Sequence, residues 1–164
     1  MERETAYIID EMHKLGISLT EQQSEQLYEY YRLLVEWNSF MNLTGITEFS
    51  EVVQKHFVDS LSIVKVKNMN DVDNLIDVGT GAGFPGLPLK IAFPNLKITL
   101  LDSLQKRVKF LNAVIEELSL TNIETIHGRA EDYAKPSLLR EKFDLCVSRA
   151  VANLATLSEY CLPY

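Results

Sequence analysis

Leu75-Ile-Asp-Val-Gly79-Thr-Gly81-Ala-Gly83-Phe-Pro-Gly86 is the stretch around which the chain is organised. Three apolar residues, Leu75, Ile76 and Val78, surround one carboxylate, Asp77, and read as a buried strand. Glycines at 79, 81, 83 and 86 then read as a tight turn whose backbone comes close to a ligand, since side chains there would block the approach. The expected continuation is a helix whose free N-terminal N–H groups face that ligand.

Two ligand classes fit the spacing. Gly81-x-Gly83-x-x-Gly86 matches the dinucleotide fingerprint, which alone discriminates weakly and keeps an NAD-dependent oxidoreductase open. Asp77 two residues before Gly79 gives acidic-x-Gly-x-Gly-x-Gly, which resembles the first motif of Rossmann-like S-adenosylmethionine (SAM) methyltransferases.

Composition narrows the class. Of the 164 residues, 46% are hydrophobic and 24% charged, the proportions of a folded domain and not of a disordered chain. No apolar run is long enough to span a bilayer, so no membrane is expected. Met1 to Asp10 shows no apolar signal-peptide core, which makes the cytoplasm the expected location. Cys146 and Cys161 form no CxxC and are too few for a zinc site, so buried thiols and no metal are expected. Net charge is −7, and residues 1–60 carry 4 Lys/Arg against 11 Asp/Glu while the remainder balances at 12 of each. Any nucleic-acid face therefore belongs on the later part.

Upstream of the glycines, the periodicity is helical. Residues 5–15 carry Ile8, Ile9, Met12 and Leu15 along one side and stop at Gly16. Thr20 and Gln23 form a capping box for a second helix with Leu27, Tyr31 and Leu34 inward, toward Trp37. A third helix after Ser50 directs Val53, Phe57, Leu61 and Val64 inward. Asn68 to Asn74 is the boundary candidate, which divides the chain into an N-terminal helical segment, 1–70, and a cofactor-binding domain, 71–164.

Downstream, strand and helix alternate. Strand 75–79 leads to helix 86–93, whose Pro88 suits a first turn. Strand 97–101 ends at Asp102, and Ser103 caps a helix carrying Val108, Leu111, Ile115 and Leu118. Strands 122–126 and 143–147 follow, then a helix over 151–162. This is an α/β chain with a parallel sheet. Only four strands can be placed where such a methyltransferase sheet has about seven, so the sheet is expected to be truncated at the C-terminus, its later strands missing.

At the strand ends four groups converge. Asp77, Gly79, Gly81, Gly83 and the flanking Phe84 would bind SAM, with the glycine turn against its methionine part. Asp102 would accept the ribose hydroxyls, or serve only as a carboxylate at a helix start. Ala130 and Glu131 would meet the adenine, and Ser148 with Arg149 the point of transfer. A Glu131–Arg149 salt bridge is the bland alternative. Lys106, Arg107 and Lys109 read as a solvated helix face.

Trp37-Asn38, Asn42-Leu43-Thr44, His56 with Asp59-Ser60-Leu61, the glycine motif with Phe84-Pro85-Gly86, Gly128-Arg129-Ala130-Glu131 and Ser148-Arg149-Ala150 together resemble one pattern. It is that of the bacterial small-subunit (16S) ribosomal RNA methyltransferase G family, also called glucose-inhibited division protein B. The resemblance implies a class I SAM methyltransferase fold and methylation of guanine N7 in 16S ribosomal RNA or the small ribosomal subunit, by a monomer. It implies cofactor roles for Gly79, Phe84, Ala130, Glu131 and Arg149; His56 and Asp59, at i and i+3, read either as a helix-surface pair or, in the light of the resemblance, as the border of the acceptor pocket. Family members continue past Tyr164, so a shortened chain that binds cofactor without turnover is the third reading. No Asn/Asp-Pro-Pro-Tyr/Phe follows the fourth strand, as it would in an exocyclic-amine methyltransferase. Guanine N7 has no proton to lose, so no general base is expected and Arg149 would only position the reactants. An unpaired or turned-out guanine calls for base-stacking groups, with Phe84 as one candidate and Trp37 as a weaker one.

Overall fold

The computed structural model describes residues 1–134, 139, 141–149 and 161–164. Helix α1 (Glu2–His13) buries Ile8 and Met12. It starts three residues earlier than the apolar period indicates, because Glu2 and Glu4 suit a helix's first turn electrostatically. Helix α2 (Glu21–Asn38) opens on the expected capping box. Gln23 Nε2 also donates to the Ile91 and Ala92 carbonyls, at 3.0 and 3.3 Å, and so closes the end of a distant helix.

The inward stripe of α2 is Ser24, Leu27, Tyr30 and Leu34. Tyr30, and not Tyr31, is the buried aromatic; Tyr31 is half-buried against Phe49. The third helical run begins at Phe49, with Glu48 as its cap. Helix α3 (Phe49–Val52) passes into a π-helical turn, Val53–Val58, then α4 (Asp59–Leu61) and a 3₁₀ turn, Ser62–Lys65. The π turn rephases the inward face, so His56 and Ser60 are buried beside Phe57 and Leu61, while Val64 is only half-buried.

Four parallel strands form one sheet in the order β3-β2-β1-β4. They are β1 (Asn74–Val78), β2 (Lys97–Asp102), β3 (Ile123–His127) and β4 (Leu145–Val147). Helices α5 (Gly86–Ala92), α6 (Gln105–Glu117) and the short α7 (Ala130–Tyr133), which the sequence pattern did not disclose, connect them. The α/β class and the parallel sheet are as expected. The chain runs outward through β2 and β3, then returns to the other side of β1. The switch point between β1 and β4 is where such sheets bind ligands.

One core joins Ile8, Leu27, Tyr30 and Phe57 to Leu75, Leu87, Leu100 and Phe110. Within 68–74, Met69–Asp71 is a 3₁₀ turn capped by Asn68, with Met69 and Val72 buried. Cys146 and Cys161 are free but half-buried. The expected helix over 151–162 falls outside the described residues, except for Cys161 and Leu162. Among the described residues, no helix is long and apolar enough to cross a membrane.

Candidate cofactor site

Gly79, Gly81 and Gly83 all have positive φ, at 66°, 62° and 103°. A Cβ on Gly81 would meet nothing within 4 Å and would extend into the cavity that the turn lines, whereas one on Gly83 would strike Leu87 and sit 2.7 Å from the Tyr30 hydroxyl. That hydroxyl donates to the Ala82 carbonyl at 2.5 Å. Burial raises the phenol's pKa, so the proton stays in place. Helix α2 thus holds the turn from behind.

Asp77 lies under the turn, fully buried, and is not among the residues that line the two cavities over it. Its Oδ2 accepts from Thr80 Oγ1 at 2.6 Å and from Gly86 N at 2.9 Å. Burial pushes this carboxyl up to about 8, against the lowering effect of those two bonds. The N-terminus of α5 is likewise not free for a ligand, because Asp77 takes the Gly86 N–H and the Gly83 carbonyl takes the Leu87 N–H at 2.7 Å.

Ser103 does not cap α6, which has no side-chain cap; Asp102 instead holds the turn that leads into it. Its Oδ1 accepts from Leu104 N at 2.9 Å at the start of α6, whose N-cap is Leu104. Its Oδ2 accepts from Gly81 N at 2.8 Å, tying the end of β2 to the glycine turn. Arg107 stands 3.8 Å from the same oxygen.

Two cavities open over the strand ends. One, about 500 Å³, is lined by Thr44, His56, Gly79 to Ala82, Phe84, Asp102, Ser103, Arg107 and Arg149. The other, about 240 Å³, is lined by Gly79, Asp102, Ser103 and Gly128 to Glu131. Gly79, Asp102 and Ser103 belong to both, so they form one trough along the ends of β1, β2 and β3. Ala130 is buried and Glu131 exposed on its wall.

Arg149, after β4, reaches back ninety residues or more. Its Nη1 donates to Asp59 Oδ2 at 3.1 Å and to the Lys55 carbonyl at 3.2 Å, and its Nη2 to His56 Nδ1 at 2.7 Å. The partner of Arg149 is therefore Asp59, not Glu131. Because His56 Nδ1 receives a proton donor, its Nε2 carries the ring hydrogen and donates to Thr44 Oγ1 at 2.9 Å. Burial first, and then Arg149, push His56 down to about 4, so the ring is neutral near pH 7.

Phe84 packs against this pair. The His56 ring stacks on it at 4.4 Å and 12°, and the Arg149 guanidinium lies 4.9 Å from its centroid. Tyr30 and Phe57 approach it from the interior at 5.6 and 6.2 Å. Phe84 is 5% exposed and has no face left for a nucleobase, which corrects the stacking expectation while leaving the residue on the cavity wall. Trp37 is half-buried, edge-on to Phe110 at 5.6 Å. The sequence missed Tyr30 and Thr44 as site residues; only the phase of α2 could have indicated Tyr30.

A third cavity, about 780 Å³, adjoins the trough at Arg149 and is lined among others by Asp59, Ser60, Pro85, Cys146 and Ser148. Among the described residues, no group of three or more His, Cys, Asp or Glu could hold a metal ion.

The sequence matches the family described as rRNA small subunit methyltransferase G over residues 23–164. It is 57% identical over 162 residues to the Ribosomal RNA small subunit methyltransferase G of Lachnoclostridium phytofermentans, covering 99% of this chain and 67% of that protein. Identity to the protein of the same name from Brevibacillus brevis is 55% over 149 residues, covering 91% and 63%. The chain thus spans about two thirds of the length of these relatives. Its fold is similar to an O-methyltransferase from Bacillus cereus in complex with SAH, with TM-score 0.61, 18% identity and coverage of 82% of this chain and 60% of that one. It is also similar to a putative caffeoyl-CoA O-methyltransferase from Staphylococcus aureus, with TM-score 0.53, 14% identity and coverage of 79% and 58%.

Proposed function

The chain belongs to the rRNA small subunit methyltransferase G family, and from that premise we propose that the trough holds SAM and that the protein methylates guanine N7 in 16S ribosomal RNA. The observation that carries this reading is the shared wall of the two cavities, which gives one elongated site with a carboxylate at its middle and a guanidinium at one end.

In this reading Gly79 to Gly83 hold the amino-acid part, with Gly81 leaving the space that a side chain would fill. Asp102 keeps unused lone pairs on both oxygens for ribose hydroxyls, and Ala130 and Glu131 flank the adenine. Bound there, SAM supplies a methyl group on a sulfonium centre. The guanine enters from the cavity beside Asp59, Pro85 and Ser148, and Arg149, where the cavities adjoin, fixes the approach. Held in the trough, SAM would supply its methyl group to a nitrogen that already carries a free lone pair, and would depart as the neutral thioether. No proton leaves, which fits a site whose nearest imidazole is neutral but has both ring nitrogens engaged. Catalysis then rests on positioning. The reading carries a cytoplasmic location and division into a helical segment that braces the turn and a domain that binds cofactor.

Titration calorimetry with SAM and with NAD tests this assignment. Binding of SAM, and not NAD, is expected; binding of NAD without SAM would transfer the site to the oxidoreductase class.

A further inference from the structure

Asp59 and Ser60, consecutive in α4, both line the 780 Å³ cavity that meets the trough at Arg149. Ile63, Pro85 and Val147 line it as well and give it apolar surface. The two polar side chains are held differently. The Asp59 side chain is 56% exposed, and its Oδ2 is fixed by Arg149 Nη1 at 3.1 Å. Among the described residues, Arg149 is the only donor to this carboxylate. Ser60 is 3% exposed, and its Oγ is buried with no hydrogen-bond partner among the described residues.

A buried hydroxyl without a partner is uncommon, and at a cavity wall it points to a ligand that supplies one. Here it stands next in sequence to a carboxylate with lone pairs to spare, so two acceptors face the same occupant. Guanine carries N1–H and N2–H donors side by side on its pairing edge, whereas adenine has a bare N1 acceptor there. Guanine N7 and O6 lie on the edge away from N2. Arg149 does not compete for N7 through Nη1, which donates to Asp59 and to the Lys55 carbonyl.

We propose that Asp59 and Ser60 select guanine as the base admitted to this cavity. The Asp59 carboxylate accepts from N1–H and from one N2–H, and Ser60 Oγ accepts the other N2–H. Bonds to an ionised carboxylate are the strong ones, and a base taken out of its stack is read on this same edge. Held there, guanine keeps its N7 lone pair unengaged. Adenine would set a lone pair against the carboxylate and be refused. The inference rests on the proposed guanine substrate and assigns the residues that recognise it.

The test uses the full-length protein saturated with SAH and fluorescein-labelled pentanucleotides UUXUU, in which X is guanine, hypoxanthine or adenine. Hypoxanthine keeps N1–H and lacks the N2 amino group. The wild type is expected to bind the guanine strand at least about tenfold more tightly than the adenine strand, with hypoxanthine between them. Asp59→Asn, which keeps an oxygen for Arg149, should bring guanine down to the affinity of adenine. Ser60→Ala should narrow the gap between guanine and hypoxanthine and leave hypoxanthine binding as it is. A merely structural role would weaken all three strands alike. SAH affinity should keep its wild-type value in both variants, which also reports an intact fold. Equal binding of the three strands by the wild type, or a guanine preference that survives in Asp59→Asn, would overturn the assignment. If Asp59→Asn does not fold, the wild-type ranking and Ser60→Ala decide. A guanine preference lost in Asp59→Asn, in a protein that transfers no methyl group, would leave the base-reading pair standing and remove the proposed reaction. Transfer to N7 with undiminished kcat/KM in Asp59→Asn would keep the reaction and remove the pair.

Discussion

The hydroxyl of Tyr30, on the second helix, donates to the carbonyl of Ala82, in the middle of the glycine turn, at 2.5 Å. Fifty-two residues separate the pair, and both are buried. The turn's backbone is thereby fixed from the side opposite the cavity, by a residue outside the strand–turn–helix unit that carries the motif.

Tyr30→Phe keeps the packing against Phe57 and Phe84 and removes only this bond. A buried carbonyl left without its donor costs about 1–2 kcal/mol. The expected result is a melting temperature lower by about 2–6 °C and a several-fold weaker SAM affinity by calorimetry. Unchanged affinity would show that the turn holds its shape without the brace.

The glycines at 81 and 83 separate binding from stability. Gly83→Ala forces a Cβ against Leu87 and the Tyr30 hydroxyl at a φ of 103°, so a large loss of stability is expected in denaturant titration. Gly81→Ala meets open space and carries only the strain of a φ of 62°, about 1–2 kcal/mol. It should remain folded and lose SAM binding by at least about tenfold. Equal stability of the two variants would contradict the packing described for this turn.

Opposed titrations at Asp77 and His56 set the pH dependence of stability. His56 has its pKa pushed down to about 4, so the unfolded chain binds a proton that the folded one refuses. That contribution is present above about 6.5 and is lost as pH falls toward 4. Asp77, pushed up to about 8 by burial, keeps a proton that the unfolded chain releases near 3.8, so its contribution is lost as pH rises from about 4 to 8. Above about 6.5 only the Asp77 slope remains. Urea midpoints should fall from pH 6.5 to 8 in the wild type and stay level in Asp77→Asn; parallel curves would show that Asp77 is ionised throughout.

Arg149→Lys should lower kcat/KM for methyl transfer by about 10²-fold, the scale of a misplaced reacting pair. One ammonium cannot serve Asp59, His56 and the Lys55 carbonyl together while lying against Phe84. Labelled methyl incorporation measures it, and wild-type turnover in this variant would make the guanidinium structural.

What the sequence made legible was local. The glycine run, the Thr20–Gln23 box and the switch from helical to alternating periodicity are each written within a few residues, and they lead to α2, the parallel sheet and the turn. Asp102, Gly79, Phe84 and Arg149 were reachable because strand ends in such a sheet converge. What escaped depends on partners far along the chain. Gly86 N–H is captured by Asp77, so the expected ligand-facing helix start does not exist. Asp59 takes Arg149 from ninety positions away, and a π turn, invisible in composition, turns His56 toward it. Tyr30 and not Tyr31 faces the core, a difference of one step of helical phase that no neighbouring residue resolves.

Mapping the transferred methyl group tests the central claim most directly. The full-length protein would be incubated with methyl-labelled SAM and small ribosomal subunits lacking the modification, and the RNA then reduced and cleaved at 7-methylguanine. The account predicts label in 16S ribosomal RNA, released with a single guanine and located on N7. Label on an exocyclic amine or a ribose oxygen, or none at all in a protein that binds SAM, would contradict it.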